Sequence, residues 1–224
     1  GSDDSRVGPM RLVASGAAKP LSVRRAALLS FVVAAVAGLY LAVLTSLWLV
    51  PIGAAAIVAA WCYTGGPRPY GYSGLGELFV FVFFGLVASV GSTYVQDEEV
   101  TALAVGASIP VGLLAVALLV TNNLRDLPKD ALVGKNTLAV RMGDKPTRVM
   151  YVLCIVMSLL CLPYLSLLRP AVLIALLSVL LAVKPIRLVA RGATGQELIA
   201  VLGATGKLQM LFGVLLSVGL AIGI

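Results

Sequence analysis

Long stretches without a charged residue alternate with short polar clusters along this 224-residue chain. Residues 26–67 hold no Asp, Glu, Lys or Arg, and one helix of that length would be about twice as long as a roughly 30 Å hydrocarbon layer is thick. The stretch therefore folds into two spans, broken near Thr45-Ser46 or at Pro51. Further uncharged runs cover 78–96, 100–124, 149–168 and 208–224. Another apolar segment, near 170–190, ends in Lys184 and Arg187, whose long stems can reach back to the headgroups. The pattern predicts an all-α, polytopic membrane helix bundle forming one domain over 1–224. Its seven spans are expected at about 26–45, 47–63, 77–96, 100–122, 147–167, 170–188 and 206–224.

Composition agrees. Hydrophobic residues make up 60% of the chain and charged residues 12%, with a mean hydropathy of +1.03. A soluble domain carries about a quarter charged residues. Under strict alternation of seven spans, the segments 1–25, 64–76, 123–148 and 184–207 lie on one side and hold 16 of the 17 Lys and Arg residues. The other side has only Arg169 and the acidic run Asp97-Glu98-Glu99. This asymmetry predicts an integral protein of the plasma (inner) membrane with its basic face in the cytoplasm. The net charge of +7 then reads as topology and contact with anionic lipid, not as nucleic-acid binding. A homo-oligomer is compatible with the sequence.

Absences narrow the chemistry. The chain has no His, which excludes histidine-containing zinc sites, His-based triads and histidine proton relays. Cys62, Cys154 and Cys161 stand singly in apolar spans and read as inert thiols. Gly203-Ala204-Thr205-Gly206-Lys207 looks briefly like a phosphate loop, but Val201 stands at the first required glycine and Leu208 at the Ser/Thr position.

What remains is the polar string Asn122-Asn123-Leu124-Arg125-Asp126, Asp130, Gly134-Lys135 and Arg141-Met142-Gly143. Asp126 and Asp130 are four apart, so on a helix both carboxylates face one way, about 6 Å apart. With Lys and Arg nearby, they suit a magnesium-bridged diphosphate. A second acid–base cluster, Asp3, Asp4, Arg6, Gly8, Pro9 and Arg11, falls on the same expected face. Asp4 precedes Gly8 as Asp130 precedes Gly134, which makes a weak internal repeat. The chain opens on Gly1-Ser2 without Met, signal peptide or a first span.

These residues carry a resemblance. The string Asn122–Gly143 resembles the second aspartate-rich motif of the UbiA-type intramembrane prenyltransferases, in the branch that prenylates 1,4-dihydroxy-2-naphthoate for menaquinone synthesis. Tyr63-Thr64-Gly65-Gly66-Pro67 with Pro69-Tyr70-Gly71-Tyr72, then Gly74-Leu75-Gly76-Glu77, and Gly195-Gln196-Glu197-Leu198-Ile199 are similar to the same branch. Asp3 to Leu12 looks like the tail of the first motif. Family members have nine helices, so the resemblance implies that the chain starts after two helices and the opening of that motif. By itself, residues 1–224 would then lack half of the metal site and are expected to be inactive.

The resemblance also implies roles. Asp126 and Asp130 would hold one Mg2+, and Asp3 would be the last acid holding a second. Lys135, Arg6 and Arg11, with Arg68 and Arg141, would contact diphosphate oxygens. Asn122 and Asn123 would face substrate, and Tyr63, Tyr70 and Tyr72 would cap the aromatic acceptor. The substrates implied are a polyprenyl diphosphate and an aromatic acid, joined with loss of carbon dioxide and diphosphate to give demethylmenaquinone. The isoprenoid tail would lie along apolar helix surfaces, where Gly38, Gly85, Gly91 and Gly106 allow close packing or leave space.

Plainer readings stand beside these. Asp126 and Asp130 can simply solvate a helix end, paired with Arg125, Lys129 or Lys135. Arg6, Arg11, Arg141, Lys145 and Arg148 can be positive-inside anchors, and residues 63–74 an ordinary tight loop. A different acceptor (4-hydroxybenzoate, homogentisate, a chlorophyllide or haem) is the nearest alternative. A transport or structural subunit is the other, but it predicts ionisable residues within the spans, whereas the acids here gather at one interface.

Overall fold

The computed structural model describes residues 12, 13 and 15–222. All regular structure among them is helical. Among the described residues, six helices are long and apolar enough to cross a membrane, and a seventh apolar helix, Leu49–Thr64, has 16 residues. The all-α membrane bundle expected from the hydrophobic pattern is what the chain forms. By compactness it divides into two units, Gly1–Trp61 and Cys62–Ile224.

In the first unit, α1 (Pro20–Leu44) starts on a proline, whose missing N–H is no loss in a first helical turn. The chain leaves the helix over residues 45–48. Pro51, the other place considered for the break, sits in the first turn of α2 (Leu49–Thr64), where it is tolerated for the same reason. Leu29, Val32, Val33, Val36 and Val43 are exposed on α1, an apolar surface that suits lipid and not water. The rings of Phe31 and Trp61 lie 6.4 Å apart.

The second unit begins with the last turn of α2 and a 3-10 turn at Tyr70–Tyr72. A continuous helix, Gly76–Asp97, then crosses the bundle. It comprises α3 (Gly76–Val80), a π-helical segment Phe81–Val87 and α4 (Ala88–Asp97). Glu98, at φ 57°, ends it. Thr101 starts α5 (Ala102–Leu132), its hydroxyl accepting from the Ala104 N–H. A short helix α6 (Leu138–Met142) leads to α7 (Asp144–Ser166). A 3-10 stretch Pro170–Ser178 continues into α8 (Val179–Ala190), and α9 (Gly195–Ile222) closes the unit. The last helix starts at Gly195, before the expected 206, so Lys207 lies on it and not in a loop.

α5 is the central element, packed against α7, α9 and the π-helical segment. Gly85 and Gly112 make this possible: a Cβ on Gly85 would lie 2.6 Å from the Gly112 Cα, so the two backbones touch. Gly106 is covered by the Leu165 side chain, 2.8 Å from where its Cβ would be, while Gly38 and Gly91 meet nothing within 4 Å. Tyr151 on α7 and Thr205 on α9, both fully buried, share a 2.7 Å hydrogen bond. Thr205 comes from the failed phosphate loop, which is plain helix. At 1.5 Å per residue α5 is about 46 Å long, whereas about 20 residues cross the hydrocarbon. Counting from Ala102, its last turns, from about Asn122, therefore reach the headgroup level.

Candidate functional site

Those last turns carry most of the expected site. Asn122, Asn123, Asp126 and Asp130 are all on α5, and Asn123 and Asp130 are buried. Asp130 falls in the final turn, and the helix stops because the chain reverses there. The Gly134 N–H bonds the Ala131 carbonyl at 3.4 Å and the Lys135 N–H bonds the Asp130 carbonyl at 2.9 Å, with Gly134 at φ +70°. This is a Schellman closure, which favours glycine at the left-handed position. It also folds Lys135 back over the helix end, where its Nζ lies 3.0 Å from Asp130 Oδ2. The same Nζ stands 5.2 Å from the centre of the Tyr72 ring.

Asp126 is held differently. Arg125 Nε and Nη2 donate to its two carboxylate oxygens, each at 2.8 Å, in a bidentate pair. The Arg125 side chain is 5% exposed and that of Asp126 32%. Each aspartate thus has a basic partner, as the plainer reading of a solvated helix end foresaw for Arg125 and Lys135. The pairing fixes the orientation of both carboxylates at the helix end.

Thr137 opens α6, its hydroxyl accepting from the Val140 N–H at 3.4 Å. On that helix Arg141 Nε donates to the Asn136 carbonyl at 3.3 Å. The Arg141 stem lies 3.0 Å from where a Cβ on Gly74 would be, so this arginine lies against the end of the 63–74 loop. Arg68 is exposed in that loop. Arg148 pairs with Asp144 and donates to the Val189 carbonyl at 3.0 Å, so it anchors the end of α8. Asp3, Arg6, Arg11 and the Asp4–Gly8 half of the weak repeat lie outside the described residues.

The loop tyrosines are ordered by glycines. A Cβ on Gly71 would come within 2.6 Å of the Tyr63 carbonyl oxygen and 2.8 Å of its ring, and one on Gly76 within 3.7 Å of the same ring. Tyr63 therefore sits in a seat that only glycine leaves open. From it an aromatic row runs onto α3 and the π-helical segment. Tyr63 and Tyr70 are 5.5 Å apart, Tyr70 and Phe79 stack at 4.0 Å, and Phe79 and Phe83 at 5.9 Å. Burial, with a smaller contribution from Cys62, holds the Tyr70 phenol above its ordinary pKa, so it stays protonated at neutral pH.

Two residues were missed as parts of the site. Arg125 appears in the sequence reading only as a neutralising partner. Glu77, part of the Gly74–Glu77 motif, is 6% exposed and accepts a 2.8 Å hydrogen bond from Asn123 Nδ2. Its signal was available: Glu77 is the one charged residue between Arg68 and Asp97.

The donor set suits a hard cation. Magnesium takes one or two carboxylates and fills its remaining positions with water and phosphate oxygens. Asp126 and Asp130 are two such carboxylates one turn apart. Among the described residues, no cluster of three or more potential metal-binding side chains occurs.

Known proteins resemble the chain throughout. The profile of the UbiA prenyltransferase family matches residues 2–202. A 1,4-dihydroxy-2-naphthoate octaprenyltransferase of Mycobacterium tuberculosis is 44% identical over 223 residues, covering 100% of this chain and 76% of that protein. The Mycobacterium leprae protein of the same name is 42% identical, covering 96% of this chain and 73% of its own length. The one from Haemophilus influenzae is 36% identical, covering 100% of this chain and 76% of its own length. No solved structure matches the chain.

Proposed function

The chain belongs to the UbiA prenyltransferase family, and we propose that it transfers a polyprenyl group from polyprenyl diphosphate to 1,4-dihydroxy-2-naphthoate. Carbon dioxide and diphosphate leave, and demethylmenaquinone forms as its hydroquinone. The observation that carries this reading is the 44% identity, over the whole chain, to a relative bearing that activity in its name.

The assignment of residues follows from the cluster at the end of α5. Asp126 and Asp130 are the carboxylates for Mg2+, which when bound supplies positive charge to the diphosphate leaving group. Lys135, held beside Asp130 by the Gly134 turn, contacts diphosphate oxygens, and Arg141 approaches from the loop side. Arg125 keeps Asp126 oriented. Charge neutralisation at this point lets the allylic C–O bond break with its electron pair leaving on oxygen. The ring carbon bearing the carboxylate attacks the allylic carbon, and the pair released by the C–CO2 bond restores aromaticity. No net proton transfer is required. Asn122 and Asn123, with the tyrosine row from Tyr63 through Tyr70, lie on the acceptor side, and Tyr72 covers Lys135. The row continues as Phe79 and Phe83 toward the lipid, a surface fit for an isoprenoid tail.

The site face is cytoplasmic, in the plasma membrane, on the support of the 16-to-1 distribution of basic residues. The function, like every activity measured below, is tested on the full-length protein in membranes, here with an acceptor panel. Transfer to 1,4-dihydroxy-2-naphthoate and not to 4-hydroxybenzoate is expected; the reverse preference overturns the proposal.

A further inference from the structure

One buried polar atom has no partner. Glu77 Oε1 accepts the Asn123 amide, but its Oε2 is enclosed by protein and makes no hydrogen bond. A carboxylate oxygen taken out of water without a partner costs on the order of 1–3 kcal/mol or more, so such an orphan calls for an explanation. Its surroundings supply one. Asn123 and Asp130 are seven residues apart and share a face of α5, with Asp126 between them. The Tyr63 ring lies 3.7 Å from where a Cβ on Gly76, the residue before Glu77, would be. Glu77 therefore stands one helical turn deeper than the diphosphate cluster, beside the aromatic row.

We propose that Glu77 Oε2 accepts a hydrogen bond from a ring hydroxyl of the aromatic acceptor, making Glu77 a substrate-binding catalytic residue with Asn123 as its positioning partner. This rests on the reading of the protein as an aromatic prenyltransferase. The chemistry fits the place. The hydroxyl concerned is the one next to the carboxylate-bearing carbon: donating to a carboxylate, it pushes electron density into the carbons ortho and para to it, which include the carbon that attacks the allylic centre. As that carbon forms its new bond, positive charge develops on the ring and its hydroxyl. The nearby carboxylate stabilises this charge, most strongly where water is excluded. The hydroxyl keeps its proton overall, because loss of carbon dioxide supplies the electron pair that restores the ring. The Asn123 amide holds the carboxylate at the required angle and is itself fixed one turn from Asp126, so acceptor and diphosphate are registered by one helix.

The test uses membranes containing the protein, steady-state kinetics with both substrates varied, and the two monomethyl ethers of 1,4-dihydroxy-2-naphthoate. Glu77→Gln is expected to raise KM for the naphthoate or lower kcat by about tenfold or more while KM for polyprenyl diphosphate stays within about twofold. On the unsubstituted protein, one of the two ethers is expected to bind about tenfold more weakly than the parent diol, and on Glu77→Gln that ether loses nothing further. The ether comparison on the unsubstituted protein needs no variant, so poor recovery of Glu77→Gln does not remove the test. Ethers that both bind as tightly as the diol overturn the proposal. So does a Glu77→Gln protein whose defect lies wholly in diphosphate KM. A protein that ignores the naphthoate but prenylates 4-hydroxybenzoate with the same Glu77 dependence would defeat the proposed acceptor and leave the Glu77 assignment standing.

Discussion

Gly134→Ala isolates the turn that brings Lys135 to Asp130. Nothing lies within 4 Å of the position a Cβ would take there, so the substitution causes no clash. Its effect is conformational alone: Gly134 sits at φ +70°, where a non-glycine residue is disfavoured by roughly 1–2 kcal/mol. Against that strain stand two backbone hydrogen bonds of the closure, each contributing about 0.5–1.5 kcal/mol. The partly exposed Lys135–Asp130 pair contributes at most about 1 kcal/mol more. The strain is comparable with these, so the ratio of closed to open turn falls by about 5–30-fold. Because Lys135 is proposed to meet the diphosphate only in the closed turn, KM for polyprenyl diphosphate is expected to rise as the closed fraction falls, by up to about fivefold, with KM for the acceptor little changed. Asn tolerates the left-handed region better than Ala, so Gly134→Asn should fall between the two. The assay is initial-rate kinetics in membranes for all three proteins. Equal diphosphate KM for Gly134→Ala and the unsubstituted protein would refute the argument that this turn delivers Lys135.

Tyr151→Phe removes the fully buried bond between α7 and α9. Thr205 keeps its bond to the Val201 carbonyl, so the expected loss is about 1 kcal/mol, read as a lowered midpoint of unfolding in detergent. An unchanged midpoint would show that the bond contributes nothing. Gly85→Val places side-chain atoms where the Gly112 backbone already is, and the folded yield should fall sharply, at a cost of 1–3 kcal/mol or more. Gly91→Val, with nothing within 4 Å, serves as its control and should be recovered normally. Equal recovery of the two would remove the close crossing of α5 with the π-helical segment.

The hydrophobic pattern made the membrane bundle legible because a lipid solvent demands long uncharged helices. It marked the hairpin between α1 and α2 for the same reason, since 42 uncharged residues exceed one crossing. It could not show the start of α9. The polar and glycine residues between Gly195 and Lys207 read as a loop, whereas Leu198 and Val201 of that stretch pack into the core as part of the helix. Asp126, Asp130 and Lys135 were visible as charges in an apolar chain, but the mode of their pairing was not. Arg125 turns to its neighbour Asp126, whereas Lys135 depends on a left-handed glycine to reach back to Asp130. Glu77 was harder to weigh, because a lone carboxylate at the head of a span looks like an interfacial anchor. Its burial against Asn123, 46 residues away in sequence, is a tertiary fact. The glycine seat of Tyr63 was hidden in the same way, within a stretch whose Gly, Pro and Tyr content suits any tight loop.

The most direct test of the account is the magnesium dependence of polyprenyl transfer to 1,4-dihydroxy-2-naphthoate, measured for the unsubstituted protein and for Asp126→Ala in the same membranes. The account predicts turnover that requires magnesium in the first and falls by at least about a hundredfold in the second, in line with the loss of a group that stabilises charge in the transition state. Asp126→Ala turning over at the original rate, with its magnesium response intact, would contradict it.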